Sequence, residues 1–395
     1  MKFIDFIIDL ADPYRLSQFT RDPDGLMNAA GLSASQKEAL RTGNSASIRI
    51  LAERELNTPR TDEGAPIEQR EDTDELVFLQ STEDAEDIVL DELDISDHVS
   101  TPLEETEGIE RTFAELTPVQ QSVPGNGMRT SAKAGSLTII GTGIKAIGHV
   151  TKESQQYLEE AQKVLYLVAD PVTERWIRRL NPTAESLYGY YGDDKPRSKT
   201  YQEMADRIMY FVRKELRVCA AFYGHPGIFV SPSYISLKVL RAEGYKTEMM
   251  PGISAIDSLF CDLGLDPFRG TQIFESTNLL IRARKINTSA FVILLQVASV
   301  GDLGFRAAGF DKRNLPVLME HLSNLYGPDH ELFIYQAAHY PVCRPVIRKI
   351  PVSKLCESQI TGISTLCVPP LREPPIDQAM LARLGLAAAF HPLKA

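Results

Sequence analysis

The sequence predicts an α/β protein preceded by a small all-α bundle and an acidic linker. Three observations lead there. From Ser136 onward, short apolar runs alternate with helical patterns, which argues for an α/β domain with a largely parallel sheet. Before residue 53, apolar residues recur at helical spacing. Between the two, residues 61–116 hold twenty Asp or Glu and two Arg, a net charge of −18 against −11 for the whole chain. The acidic character therefore belongs to one segment, and the rest carries a net +7.

The first unit, 1–55, reads as four or five short helices. Phe3, Phe6, Ile7 and Leu10 share one face, Asp12-Pro13 ends or restarts the helix, and Leu16 and Phe19 extend the stripe. Asp22-Pro23 reads as an N-cap with proline at the first helical position. Gly31 and Gly43 close later helices, the second of them capped by Ser33. No catalytic cluster lies here, so binding or recruitment is the expected role. Residues 56–134 read as a linker rich in Pro, Glu, Asp, Ser and Thr, whose like charges repel. Two apolar islands interrupt it, Leu76-Val77-Phe78-Leu79 and Ile88-Val89-Leu90. Each is either a short element docking on the folded body or a sequence offered to an active site.

Residues 135–370 form the main domain. Strands are expected at 137–141, 164–168, 217–222, 246–250, 290–297, 332–337 and 363–368. Helices are expected at 151–162, 171–180, 200–215, 232–243, 254–263 and 311–325. A Pro-rich tail with a helix over 376–386 completes the chain as 371–395.

Several function classes are excluded. No apolar run approaches the roughly 18 residues a membrane span needs, and the N-terminal apolar stretch is interrupted by Asp5 and Asp9 without a cleavage pattern. The five cysteines are scattered, with no C-x-x-C pair, so neither a disulfide framework nor a zinc site is expected. Asp257 and Asp262 lack ligand partners, and no metal is assigned. No basic cluster interleaves with aromatics, which argues against nucleic acid. A reduced, cytoplasmic protein is the expectation.

Chemistry concentrates in four stretches. The run Ser136 to Gly148, SLTIIGTGIKAIG, is a strand, a Gly141/Gly143 turn and a helix approach. Such turns either pack strand to helix tightly or bring the backbone close to a nucleotide-like ligand. The spacing is not G-x-G-x-x-G, which suits a ligand without pyrophosphate. Tyr223-Gly224-His225-Pro226-Gly227 follows a strand end, where His225 is a structural or ligand-contact residue or an acid/base group. Pro251-Gly252 starts another strand–turn–helix junction. In 188–201, four tyrosines and one arginine sit in fourteen residues. That segment is either a surface loop with aromatic anchors or an activating set. A phenol ionises near pH ~10 and is a poor base at neutrality. A neighbouring guanidinium favours phenolate and holds negative charge on oxygen. Such a pair suits a weakly acidic N–H, such as a peptide amide.

LTIIGTGI (137–144), VLYLVADP (164–171), FYGHPGIFVSP (222–232) and MPGISAIDSLFCDLGLDP (250–267) together resemble the tetrapyrrole methylase superfamily of S-adenosylmethionine methyltransferases. LYGYYGDDKPRSKTY (187–201), FES (274–276), LLQV (294–297) and STLCVPP (364–370) resemble its borosin branch, the peptide backbone α-N-methyltransferases. DPDGLMNAAGLSASQKEALRTGNSASIR (22–49) resembles the helical borosin binding domain, which docks a precursor peptide. In fungal fused members that module and the core peptide follow the methyltransferase; here the module comes first. The end, GLAAAFHPLKA, is not the Val/Ile/Gly-rich tail of a fungal core.

The resemblance implies a two-lobed methyltransferase using S-adenosylmethionine, with iterative N-methylation of a ribosomally made precursor in cis or in trans. It implies Tyr191, Arg197 and Tyr201 as the catalytic set, with Tyr223 beside the transferred methyl. It implies a cofactor site at Gly141, Gly143, Tyr223, His225, Val230, Ser254, Ala255, Gln296, Tyr335 and Ala337. It also implies a homodimer. Leu76, Val77, Phe78 and Leu79 are the first candidate substrate segment and 88–90 the second. Flanking acids such as Asp74, Glu75, Asp87 and Asp91 oppose both in a closed apolar channel. The other readings are a small-molecule tetrapyrrole methyltransferase and a cofactor-binding peptide scaffold without turnover. The Tyr-rich loop and the binding-domain likeness argue against the former.

Overall fold

The computed structural model describes residues 2–57, 133–193, 195–305 and 309–386. It divides into two compact units. The linker islands at 76–79 and 88–90 lie outside the described residues.

The first unit takes in residues up to Ser258, with 302–310 and 337–345. It begins with five helices: α1 (Phe3–Asp9), α2 (Pro13–Arg21), α3 (Pro23–Ala29), α4 (Ala34–Thr42) and α5 (Ser45–Asn57). Local chemistry sets their ends. Asp12 accepts from the Tyr14 and Arg15 amides, and Asp22 accepts from that of Gly25. Ser33 and Gln36 form a reciprocal capping box, while Gly43 closes α4 at φ 61°. One closure is long-range: the Glu55 carboxylate accepts from the Phe3 and Ile4 amides at 2.7 and 3.2 Å. The last turn of α5 thus caps the first turn of α1.

A five-stranded sheet follows, in the order β3-β2-β4-β1-β5. Its strands are β1 (Ser136–Gly141), β2 (Lys163–Leu167), β3 (Glu185–Ser186), β4 (Arg217–Phe222) and β5 (Lys246–Met249). Every pairing is parallel. Helices α6 (Lys152–Glu160), α7 (Pro171–Leu180), α8 (Arg197–Arg213) and α9 (Ser231–Ala242) connect the strands. Successive β1 side chains serve different cores. Leu137 and Ile139 pack with Met204, Ile208 and Leu240, whereas Ile140 packs with Tyr166, Trp176 and Ile177. The helical bundle shares its core with Ala146, Val172 of α7, and Tyr340. An Asp5–Arg179 ion pair at 3.1 Å adds a surface tie.

The second unit takes in 259–301, 311–336 and the chain from 346. Its sheet runs β6-β7-β10-β8-β9, from β6 (Thr271–Glu275), β7 (Phe291–Leu295), β8 (Glu331–Gln336), β9 (Val346–Pro351) and β10 (Thr365–Val368). Only β6 and β7 pair in parallel; the other pairings are antiparallel. A largely parallel arrangement therefore holds for the first sheet and not for the second. Helix α10 (Ala255–Leu263) spans the division between the units, and α11 (Ser276–Ile281), α12 (Leu315–Tyr326) and α13 (Gln378–Arg383) complete the described helices.

Four elements were not expected from sequence: β3, β6, β9 and α11. Two residues of β3 leave no periodicity to detect. VIRKIP in β9 is a polar edge strand with Val346 and Ile347 exposed. The expected strand 290–297 ends earlier, at Leu295, because Gln296 turns into the left-handed region at φ 56°. Helix α8 begins three residues before the expected 200, directly after Pro196.

Candidate active site

β1, β4 and β5 lie side by side, and each ends in a glycine-bearing turn. Thr142 N donates to Phe222 O at 2.8 Å, and Gly143 and Gly224 exchange backbone hydrogen bonds at 3.2 and 3.0 Å. The Gly224 carbonyl oxygen sits where a Cβ at Gly141 would come within 2.2 Å and one at Gly252 within 2.8 Å. Backbone-on-backbone packing therefore demands both glycines. Gly143 is also at φ +72°, and a Cβ there would meet the His149 side chain at 2.1 Å. The three glycine motifs thus converge at the C-terminal edge of a parallel sheet, where open α/β sheets bind ligands.

Tyr223 and His225 stand on the middle turn. His225 Nδ1 accepts from the Gly227 amide at 3.0 Å, which leaves Nε2 to carry the ring proton. Burial pushes the Tyr223 phenol well up, and the Asp170 charge pushes the same way. The Tyr223 ring lies 5.8 Å from that of His339. His339 is buried with Nε2 3.2 Å from Asp170 Oδ2. Burial alone would raise the Asp170 carboxyl. The opposing His339 charge and the Thr173 hydrogen bonds outweigh it and hold the carboxyl below its usual range. Asp170 also caps α7 through the Thr173 amide at 2.8 Å.

The Tyr-rich loop is a packed aromatic cluster. Tyr191 stacks on Phe305 at 4.7 Å and 29°, and Tyr188 meets both rings at 5.5 and 6.2 Å. The 302–305 strip pins the loop: Asp193 bridges to Phe305, Pro196 to Gly304, and Arg197 N donates to Leu303 O at 3.0 Å. Lys195 bridges the Tyr190 carbonyl and Glu203. Arg197 opens α8 and Tyr201 follows one turn later, so both share a helix face. Burial, the Tyr201 charge and a hydrogen bond given to Tyr201 push the Tyr191 phenol up; Arg197 opposes them and loses. Burial likewise raises Tyr201 despite Arg197 and the hydrogen bond it accepts. The guanidinium does favour phenolate, as the sequence suggested, but desolvation is the larger effect.

The other expected cofactor residues divide between the two units. Val230 precedes α9. Ser254 is buried, and its hydroxyl is committed to the cap of α10, donating to Asp257 Oδ2 at 2.6 Å and accepting from the Ile256 and Asp257 amides. Ala255 is the first residue of that helix. Gln296 and Tyr335 lie in the second unit and Ala337 in the first. The Tyr335 hydroxyl donates to Asp262 at 2.6 Å. Phe305, His339 and Tyr340 were not singled out from sequence. The one available signal was the His-Tyr pair just beyond the β8 strand end.

The groups on these turns include the Tyr223 ring, backbone amides, a histidine held by hydrogen bonding and, on the β1 turn, Lys145. The aromatic ring suits a nucleoside bearing a cationic sulfonium, since cations favour aromatic faces. Among the described residues no group of three or more His, Cys, Asp or Glu is arranged to hold a metal ion, and no helix is long and apolar enough to cross a membrane.

Residues 136–346 match the Tetrapyrrole (Corrin/Porphyrin) Methylases, and the chain belongs to that family. Within it, the relatives are fused methyltransferase and peptide precursors. The gymnopeptides precursor of Gymnopus fusipes is 42% identical over 267 residues, covering 66% of this chain and 63% of the relative. The omphalotin A precursor of Omphalotus olearius is 41% identical over 265 residues, covering 66% and 64%. A type I borosin cyclic peptide precursor of Coprinopsis marcescibilis is 39% identical over 271 residues, covering 66% and 69%. The chain is thus of the borosin methyltransferase type, and it matches slightly less than two thirds of the length of the first two relatives.

Proposed function

We propose that the chain transfers methyl groups from S-adenosylmethionine to successive backbone amide nitrogens of a ribosomally made precursor peptide. The observation that carries this reading is the Tyr188–Tyr191–Phe305 cluster with Arg197 and Tyr201 on the adjoining helix turn. A small-molecule site has no need of a paired-phenol base, whereas an amide N–H does. The names of the relatives support the same substrate class.

S-adenosylmethionine, when bound, supplies an electrophilic methyl group. Gly141, Gly143, Tyr223, His225, Val230, Ser254, Ala255, Gln296, Tyr335 and Ala337 are the residues proposed to hold it, Ser254 through its backbone because its hydroxyl is used in the cap. Tyr223 would offer an aromatic face to the cofactor's positive charge. The chain's own work is to align the amide nitrogen and remove its proton. Tyr191, coupled to Tyr201, accepts that proton as phenolate. Burial makes the phenolate scarce but strongly basic, which matches a very weak acid. Arg197 holds the phenolate charge before proton transfer and the negative charge that then builds on the amide oxygen.

The peptide docks through the helical bundle or a like module, which raises its effective concentration to roughly millimolar when a linker can span the gap. The protein acts in the cytoplasm as a homodimer, and a monomeric mass by light scattering at micromolar concentration would remove the dimer. Methyl-labelled S-adenosylmethionine tests the function. Label in peptide backbone supports it. Label on a tetrapyrrole with none in peptide favours the small-molecule alternative, and bound cofactor without transfer favours a scaffold.

A further inference from the structure

The helical bundle reaches the active-site side of the first unit through a buried line of side chains. Arg49 on α5 is only 4% exposed, and its Nε donates to Glu53 at 2.7 Å. Both charges act on the phenol of Tyr340, which is fully buried among bundle residues. Among the described residues, none hydrogen-bonds the Tyr340 hydroxyl. Its ring stands edge-on to His339 at 4.9 Å and 84°. His339 in turn contacts Asp170 and faces the Tyr223 ring. Gly43, at the corner between α4 and α5, lies so close to the Val342 carbonyl that a Cβ would come within 2.8 Å of it. The 339–343 strip is thus clamped between the bundle and α7, and Ala146 N donates to His339 O at 2.8 Å to tie it to the β1 turn.

We propose that the bundle is part of the active-site support: Tyr340, seated in the bundle core, holds His339 against Asp170, and His339 sets the position of Tyr223. These are positioning residues, and the proposal rests on the methyltransferase reading only for its kinetic consequence. A buried tyrosine with an unsatisfied hydroxyl is costly where phenylalanine would fill the same space. What the strip uses is the ring, which spans from the bundle core to the imidazole. Bundle docking and cofactor geometry are then one packing event, and a displaced bundle would leave Tyr223 misplaced.

The test uses the full chain labelled with 3-fluorotyrosine. The Tyr223 resonance is identified by its loss in Tyr223→Phe. Tyr340→Leu should shift that resonance, Tyr340→Phe should leave it in place, and the surface change Lys37→Ala should do nothing. With S-adenosylmethionine and peptide, kcat should fall about 10- to 100-fold in Tyr340→Leu, with peptide KM nearly unchanged and kcat restored in Tyr340→Phe. An unmoved Tyr223 resonance in folded Tyr340→Leu overturns the proposal. If that variant fails to fold, Tyr340→Met, which refills the space without a ring, supplies the same readout. A wild-type chain that transfers no methyl to peptide overturns the function above instead, while the resonance still decides the positioning.

Discussion

At Tyr191 burial and charge oppose each other, and the outcome fixes how the site answers to pH. Burial raises both Tyr191 and Tyr201, and Arg197 recovers only part of the loss. Two interacting phenols titrate as a pair, so one apparent value describes them. The reactive phenolate is then a minor form at neutrality, and its share grows about tenfold per pH unit below that value. Methyl transfer should climb steadily from pH 7 to 9 in initial-rate measurements; a flat profile would rule out phenolate as the base. Tyr191→Phe or Arg197→Ala should abolish transfer while calorimetry still detects S-adenosylmethionine binding. Near-normal turnover in Arg197→Ala would contradict amide activation. The same raised phenols bear on stability. Tyr191 and Tyr223 hold their protons more tightly when folded than when unfolded. Their contribution is complete below the unfolded value near pH ~10 and is lost as pH rises beyond it. Asp170 is the mirror case: its lowered carboxyl contributes above pH ~4 and is lost on further acidification. Urea midpoints should therefore drop on both limbs, and Asp170→Asn should flatten the acid one.

Elements show where sequence suffices and where it does not. The strand–turn–helix units were legible because apolar runs end in glycines that the backbone demands, as Gly141 shows against the Gly224 carbonyl. Gly141→Ala should cost about 1–3 kcal/mol or more in urea denaturation, since the contact is backbone and has nowhere to give. The bundle was legible because Asp12, Asp22 and Ser33 are caps with local partners. The second sheet was less so, because β9 is a largely exposed edge strand with Arg348 and Lys349 at its centre, without a clear apolar alternation. Within the site, Tyr191, Arg197 and Tyr201 were legible as a cluster on one short segment. Phe305 and His339 were not, since they meet that segment and Tyr223 only through tertiary packing across more than a hundred residues. Ser254 separates the two kinds of information. It was named from sequence only as a cofactor residue, and the structure spends its hydroxyl on the cap of α10. Ser254→Ala should lower stability by about 1 kcal/mol and leave cofactor affinity unchanged; a large loss of affinity would mean the hydroxyl serves the cofactor.

For the whole molecule, the question is which peptide enters the site. The bundle sits in the first unit, packed on α7 and Tyr340. From its end at Asn57, 18 residues precede Leu76, enough to span roughly 60 Å at ~3.3 Å per residue. Reach therefore permits methylation of the 76–79 island, while its acidic flanks oppose burial and favour a separate peptide. Tandem mass spectrometry of the purified chain, incubated with S-adenosylmethionine alone and with a bundle-bearing precursor peptide, tests the central claim most directly. The account predicts mass steps of about 14 Da, fragment ions placing each on a backbone nitrogen of residues 76–79 or of the added peptide, and their loss in Tyr191→Phe. Full occupancy of the cofactor with no methylated backbone in either chain would contradict it.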